Sequence, residues 1–169
     1  MGDRQQLIET IKEHVKKRRE ASDEKFLFGA ERVDLRKLDH LKLEVRKRHF
    51  TFYVDEPKER GGTDQGPNPL AYFIAGAASC LVNQFLTDAI YRSVNLEDVQ
   101  LSARGHFDRR MGGAFKEIIY DLKLTSKSSR EDVLSLAKEA EEMCYAHQTL
   151  KKAGVKMKTN LYLNGKPLG

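Results

Sequence analysis

Residues 68 to 87, from Asn68-Pro69-Leu70-Ala71 through Ala77-Ala78-Ser79-Cys80 to Phe85-Leu86-Thr87, carry no charge, and this run constrains the fold more than any other part of the chain. Asn followed by Pro predicts a helix start, because an Asn side chain caps free N–H groups and Pro at the first helical position loses no hydrogen bond. With Ala and Leu inside and few β-branched residues, the helix is expected to continue to Tyr91 or Arg92. It is apolar nearly all round, which leaves a buried central helix or a membrane span. At roughly 18 apolar residues it reaches only the lower limit of a bilayer crossing, and Asn83 and Gln84 interrupt it. A long buried central helix is therefore the expectation.

The 169 residues around that helix make one domain by length, long enough to bury a sizeable core. A net charge of +5 and a pI near 9.1 favour weak attraction to anions. They do not make a nucleic-acid signature, since Lys and Arg are interspersed with Asp and Glu and no aromatic residues interleave with them as a stacking platform. The polar N-terminus has no apolar leader, so a cytoplasmic, reducing compartment is expected. Two cysteines, 64 positions apart (144 minus 80), then read as inert buried thiols or a pair that cycles, not as a structural staple.

Leu7, Ile8, Ile11 and Val15 recur at helical spacing and predict an amphipathic helix over Gln5 to Arg19, whose Lys16-Lys17-Arg18-Arg19 end suits the negative helix terminus as a solvated cluster. From Phe26 to Val54 the apolar period becomes two, which predicts two or three antiparallel strands with turns near Lys37 to His40 and Lys47 to His49. Lys58 to Pro67 is a Gly-containing loop without phosphate-cradle spacing. Val99 to Phe107 and Phe115 to Thr125 form a predicted hairpin. Ser128, three residues before Glu131, opens a helix with capping-box spacing, with Val133, Leu134, Leu136, Ala137, Ala140 and Cys144 on one side. Val155 to Leu163 is the last predicted strand, ending at Asn164-Gly165. The plan is α+β: antiparallel sheets with a long buried helix behind them, and dimerisation through that helix to complete its cover. A single domain over 1–169 divides into an N-terminal helical extension (1–22), N-terminal strands (23–57) and a core holding both cysteines (58–169).

Cys80 lies more than two turns inside its helix, where the positive helix end gives little help to a thiolate and burial opposes one. A reactive Cys80 needs a cation from elsewhere, and Arg36, Arg46 and Arg48 are the available donors. Gly76 and Ala77, one turn earlier, make the helix surface shallow, so another thiol or a substrate can come close. Cys144 ends its helix ahead of Tyr145-Ala146-His147-Gln148, a place from which a side chain can move. An attacking thiol with a mobile partner is what peroxide reduction requires, through a sulfenic acid that condenses to a disulfide. The competing assignment is two small hydrophobes in a core. His147 with both cysteines offers at most three zinc ligands and no recognised spacing. A Cys-His acyl-transfer pair with His147 lacks a third orienting group.

Gly66-Pro67-Asn68-Pro69, the helix bearing Ala77-Ala78-Ser79-Cys80, and Cys144-Tyr145-Ala146-His147-Gln148-Thr149-Leu150 before a final strand resemble the OsmC/Ohr family of osmotically inducible and organic-hydroperoxide-resistance proteins, from about Phe50 to the C-terminus. Pro57-Lys58-Glu59 and Gly61-Gly62 are also similar. The N-terminal helix is extra to the family's minimal form. The resemblance implies an OsmC-like fold, an intertwined homodimer, and thiol-dependent reduction of organic hydroperoxides with Cys80 as the peroxidatic and Cys144 as the resolving thiol. It implies no metal and no organic cofactor, with reducing equivalents from a dithiol such as a lipoylated protein. Arg46 and Arg48 are the candidate thiolate stabilisers, and Phe73, Gly76, Ala77 and His147 the candidate pocket residues. One departure stands out: the family's peroxidases usually carry a Glu just after Asn-Pro or one residue later, which orients an Arg beside the reactive thiol, and here those positions are Leu70 and Ala71. The alternative function is therefore a non-enzymatic member that binds an apolar small molecule or senses redox state; an interaction module built on the basic N-terminal helix rests on Lys16 to Arg19 alone.

Overall fold

The structure, a computed structural model, describes residues 2–21, 29–110 and 112–168. The expected strand residues Phe26 to Phe28 lie outside the described residues. The chain divides into two compact units, Met1–Ala21 together with Gly76–Gly169, and Ser22–Ala75.

The smaller unit is a three-stranded antiparallel meander, β1 (Asp34–Asp39), β2 (Lys42–Lys47) and β3 (Phe50–Val54). The period of two predicted these strands, with the first turn placed a residue or two later, at His40-Leu41. His40 and Arg48 take positive φ at the two turns (30° and 53°). Inward residues Val45 and Val54 are buried, whereas every residue of β1 is exposed. Asp55 follows β3 and organises the loop after it: one carboxylate oxygen accepts the N–H of Glu56 (2.8 Å), the other the N–H groups of Thr63 (3.1 Å) and Gln65 (3.2 Å) and the Thr63 hydroxyl (2.5 Å). Four charge-assisted hydrogen bonds hold a fully buried carboxylate and depress its pKa, the Thr63 hydroxyl contributing most. Gly62 is required here, since a Cβ would stand 1.7 Å from the Glu56 carbonyl oxygen. The loop, with one 3₁₀ turn at Lys58–Arg60, delivers the chain to α2 (Pro69–Tyr91). Asn68 Oδ1 caps it by accepting the Ala71 N–H at 2.9 Å, as the Asn-Pro start predicts. Leu70 is exposed and Ala71 likewise.

In the larger unit β4 (Asp98–Phe107) and β5 (Phe115–Thr125) form the predicted antiparallel hairpin. Then come α3 (Arg130–Met143), α4 (Tyr145–Lys152), β6 (Lys156–Leu163) and β7 (Lys166–Pro167), in a sheet ordered β4-β5-β6-β7. All pairs are antiparallel except β5–β6, which is parallel because the α3–α4 crossover returns the chain to the same end of the sheet. Asn164-Gly165, both at positive φ (51° and 79°), is a two-residue hairpin turn that adds β7, a strand not expected from the sequence. The α3 cap lies one residue later than the Ser128–Glu131 spacing suggests: Ser129 Oγ accepts the Asp132 N–H at 3.0 Å, and Ser128 Oγ is occupied by the Asn95 N–H.

The core joins one face of β5 (Ile118, Tyr120, Leu122, Leu124) to Val133, Leu136 and Ala140 of α3 and Ala77, Leu81, Phe85 and Ala89 of α2. Phe85, 1% exposed, contributes about 2–3 kcal/mol by leaving water. Leu134 of α3 is exposed instead of sharing that face. The N-terminal helix α1 (Gly2–Glu20) adds Val15 to the core. Its basic end is not merely solvated. Arg19 bonds Glu139 and approaches the buried Asp88 at 3.5 Å, and Arg18 Nη2 donates to the Tyr145 hydroxyl at 3.2 Å. Within one chain α2 buries Ala77, Leu81, Phe85, Asp88 and Ala89 only, and Phe73, Gly76, Ser79, Asn83 and Leu86 form an exposed stripe. By length and composition it is the one helix among the described residues able to cross a membrane.

Candidate functional site

Cys80 occupies the boundary between the buried and exposed faces of α2 and is half-buried. One turn before it, Gly76 is exposed, and a Cβ built there would meet nothing within 4 Å, so the helix leaves an open approach on that side. Ala77, the other small residue, faces inward.

Cys144 is positioned by a break between two helices. Its backbone is extended (φ −76°, ψ 116°), and its N–H donates to the Ala140 carbonyl at 2.9 Å, ending α3. The same residue starts α4, where its sulfur takes the place of an N-cap oxygen and accepts the His147 N–H at 3.5 Å. The sequence Cys-Tyr-Ala-His therefore carries a cap made by a thiol. Across the core, Cys144 Sγ lies 3.4 Å from Cys80 Sγ, and both cysteines are free. That is van der Waals contact between sulfurs, about 1.4 Å longer than a disulfide bond.

The surroundings oppose charge on the inner sulfur. Burial pushes the Cys144 thiol up to about 11; the His147 N–H partly offsets this, and the adjacent Cys80 adds to the rise. His147 is buried and held neutral, its pKa lowered by the same desolvation. Its Nδ1, the Tyr120 hydroxyl and Thr159 Oγ1 are buried without a hydrogen-bond partner among the described residues. Tyr120 and Thr159 are neighbours in the β5–β6 register. Burial raises Tyr120 to about 12, and the charges of Cys144 and Cys80 add to the rise.

The profile of the family described as OsmC-like protein matches residues 62–160, more than half of the chain. The chain belongs to the OsmC-like family. No curated protein matches the sequence. The fold is shared with an OsmC-like protein of Mycoplasma pneumoniae (20% identity, TM-score 0.68, covering 79% of this chain and 97% of that one). It is shared also with an organic hydroperoxide resistance protein OsmC of Legionella pneumophila (19%, 0.60, 80% and 99%) and one of Elizabethkingia anophelis with thiocyanate bound (16%, 0.64, 80% and 99%).

In this OsmC-like chain the sequence-predicted site residues divide between the two units. Cys80, Cys144, Gly76, Ala77 and His147 belong to the larger one. Arg46 and Arg48 belong to the smaller. Arg46 Nε pairs with Glu44 Oε1 at 2.8 Å, and Arg36 reaches the same oxygen at 3.4 Å; Arg48, at the hairpin turn, lies over the Phe50 ring. Phe73 is exposed on the first turns of α2. Tyr120, Thr159, Asp55 and the Arg19–Asp88–Glu139 group were not anticipated as functional or organising residues. Tyr120 had a signal: it occupies the buried phase of an alternating strand, and a tyrosine there takes a hydroxyl into the core.

Proposed function

We propose that this protein reduces organic hydroperoxides with its thiol pair. The observation that carries the proposal is the 3.4 Å contact between two free sulfurs from helices remote in sequence. Cys80, reached past Gly76, attacks as a thiolate on the terminal peroxide oxygen. The O–O bond breaks, the alkoxide takes a proton and leaves as the alcohol, and Cys80 is oxidised to a sulfenic acid. Cys144 sulfur then attacks the Cys80 sulfur, the S–O bond breaks, water leaves and a disulfide forms. A dithiol reductant, such as a lipoylated protein, returns both thiols by exchange. The exposed stripe on α2, where Leu86 lies open beside Ser79 and Asn83, supports a homodimer in which a second copy covers it.

The test is consumption of cumene hydroperoxide with a dithiol reductant. Wild type turns over; Cys80→Ser does not; Cys144→Ser forms a sulfenic acid that dimedone traps on Cys80. Equal slow consumption by wild type and Cys80→Ser overturns the proposal. One observation favours a second reading, a ligand-binding or redox-sensing member: Leu70 and Ala71 stand exposed where the family's peroxidases carry Glu, and Arg46 is paired instead with Glu44. Ala71→Glu or Leu70→Glu distinguishes the two, since a gain in rate identifies the missing carboxylate as the limit on a working peroxidase.

A further inference from the structure

In an unbroken helix the hydrogen-bond ladder fixes where every side chain points. Cys144 belongs to two ladders at once. Its N–H closes α3 on the Ala140 carbonyl and its own carbonyl accepts the Gln148 N–H of α4, both at 2.9 Å, with an extended backbone (φ −76°, ψ 116°) between them. The angle at this joint therefore decides whether the Cys144 sulfur meets Cys80. One bond crosses the joint from within, Gln148 Nε2 to the Glu141 carbonyl at 2.9 Å.

The end of α1 grips both sides of the joint. Arg18 Nη2 donates to the Tyr145 hydroxyl at 3.2 Å and its guanidinium lies 5.4 Å from that ring, on the first residue of α4. The next residue, Arg19, bonds Glu139 of α3, approaches Asp88 Oδ1 of α2 at 3.5 Å and lies 4.9 Å from the Tyr91 ring. Glu139 also takes Arg92 Nη1 at 3.2 Å, and Asp88 takes Gln84 Nε2 at 2.8 Å. Two consecutive arginines thus reach α2, which carries Cys80, and both helices that meet at Cys144. An exposed ion pair alone contributes little. Here Asp88 is 1% exposed, and Val15, one turn before the arginines and 4% exposed, seats α1 in the core. All of these residues lie in the larger unit.

We propose that Arg18 and Arg19 are positioning residues for the thiol pair: the end of α1 holds the Cys144 joint at the angle that keeps the two sulfurs in contact. They act through Tyr145, Glu139 and Asp88 and not on the sulfurs themselves. The N-terminal helix, extra to the minimal fold, thereby sets how readily Cys80 and Cys144 join. The proposal rests on the reading of these cysteines as a pair that closes, and holds whichever oxidant closes it. Holding one residue's backbone to a single conformation is worth a factor of about 5–30 in its population. Loss of both arginines should accordingly lower the equilibrium constant for closure about tenfold, which is about 30 mV in a two-electron couple.

The experiment is a redox titration of the full chain in glutathione buffers, with free thiols alkylated and counted by intact mass. Two protein thiols and one glutathione disulfide give the protein disulfide and two glutathione thiols, so hydrogens and electrons balance. A residue that only stabilises the fold acts equally on the dithiol and disulfide forms and leaves this equilibrium unmoved. The Arg18→Ala, Arg19→Ala double variant should close about tenfold less readily than wild type. Arg18→Ala and Tyr145→Ala should each show the same smaller loss, and their combination no more than either, because they remove one contact. Lys17→Ala, which breaks the separate Glu13 pair on α1, should match wild type. Closure of the double variant within twofold of wild type overturns the proposal, and so does an equal loss in Lys17→Ala, which would make net charge the cause. If Arg19→Ala leaves Asp88 unpaired and the chain does not fold, the Arg18 and Tyr145 cycle decides: no loss, or losses that add, overturn it. A wild type that forms no disulfide at any glutathione ratio removes the reading of a closing pair, and the positioning role with it; normal closure in every variant removes the positioning role alone.

Discussion

Joining Cys80 to Cys144 should stabilise the protein, and the gain can be worked from the fold. The bond would close a loop of 64 residues (144 minus 80), which removes about 4 kcal/mol of chain entropy from the unfolded state. Against this, the sulfurs must draw together from 3.4 Å by about 1.4 Å. Cys144 sits at a helix break, so the movement turns one residue and does not drag a helix. The sulfur also loses quality as the acceptor of the His147 N–H, at a cost of about 1 kcal/mol. The net is about 3 kcal/mol, or a rise in Tm of roughly 6–12 °C for a chain of this size. Differential scanning calorimetry on protein oxidised with one equivalent of peroxide, against the reduced protein, reads this directly. Intact mass confirms the loss of two hydrogens, and Cys144→Ser under the same oxidant controls for other oxidation. An oxidised protein that carries the disulfide but melts at or below the reduced one would refute the argument that the two thiols are native neighbours with room to close.

Two further outcomes follow from single residues. His147 is more easily protonated in the unfolded chain than in the core, so unfolding takes up a proton in acid: stability should be level above pH 6.5 and fall below it, and His147→Gln should flatten that slope in urea titrations at several pH values. Gly62→Ala would set a methyl 1.7 Å from the Glu56 carbonyl and must displace the loop around Asp55, costing about 1–3 kcal/mol in chemical denaturation, whereas Gly76→Ala, in a helix interior with open space around its Cβ, should stabilise by about 0.5–1 kcal/mol.

The helices and strands were legible because their apolar residues keep period: α1 from Leu7, Ile8, Ile11 and Val15, and β5 from Ile118, Tyr120, Leu122 and Leu124. Asn68-Pro69 marked the start of α2 to the residue. The parallel β5–β6 pair was not legible, because alternation reports which face is buried and is blind to strand direction. The capping shift from Ser128 to Ser129 shows a related limit: two adjacent serines offer the same chemistry, and the contact of Ser128 with Asn95, 33 positions away, decides between them. Arg18 and Arg19 read as solvated for the same reason, since Asp88, Glu139 and Tyr145 are distant in sequence. At the site, the cysteine pair was nominated by motif, whereas the 3.4 Å approach of the two sulfurs depends on elements 64 positions apart and could be read only from the fold.

The break at Cys144 makes helix length a chemical parameter. Cys144 follows α3 directly, so each residue inserted into or deleted from that helix rotates everything after it by about 100° and shifts it by about 1.5 Å along the axis. One such step swings the sulfur off the core and replaces it with Met143 or Tyr145, neither of which can close a bond to Cys80. Across chains of this fold, the count of residues from Ser129 to Cys144 should therefore stay the same wherever the thiol pair is kept.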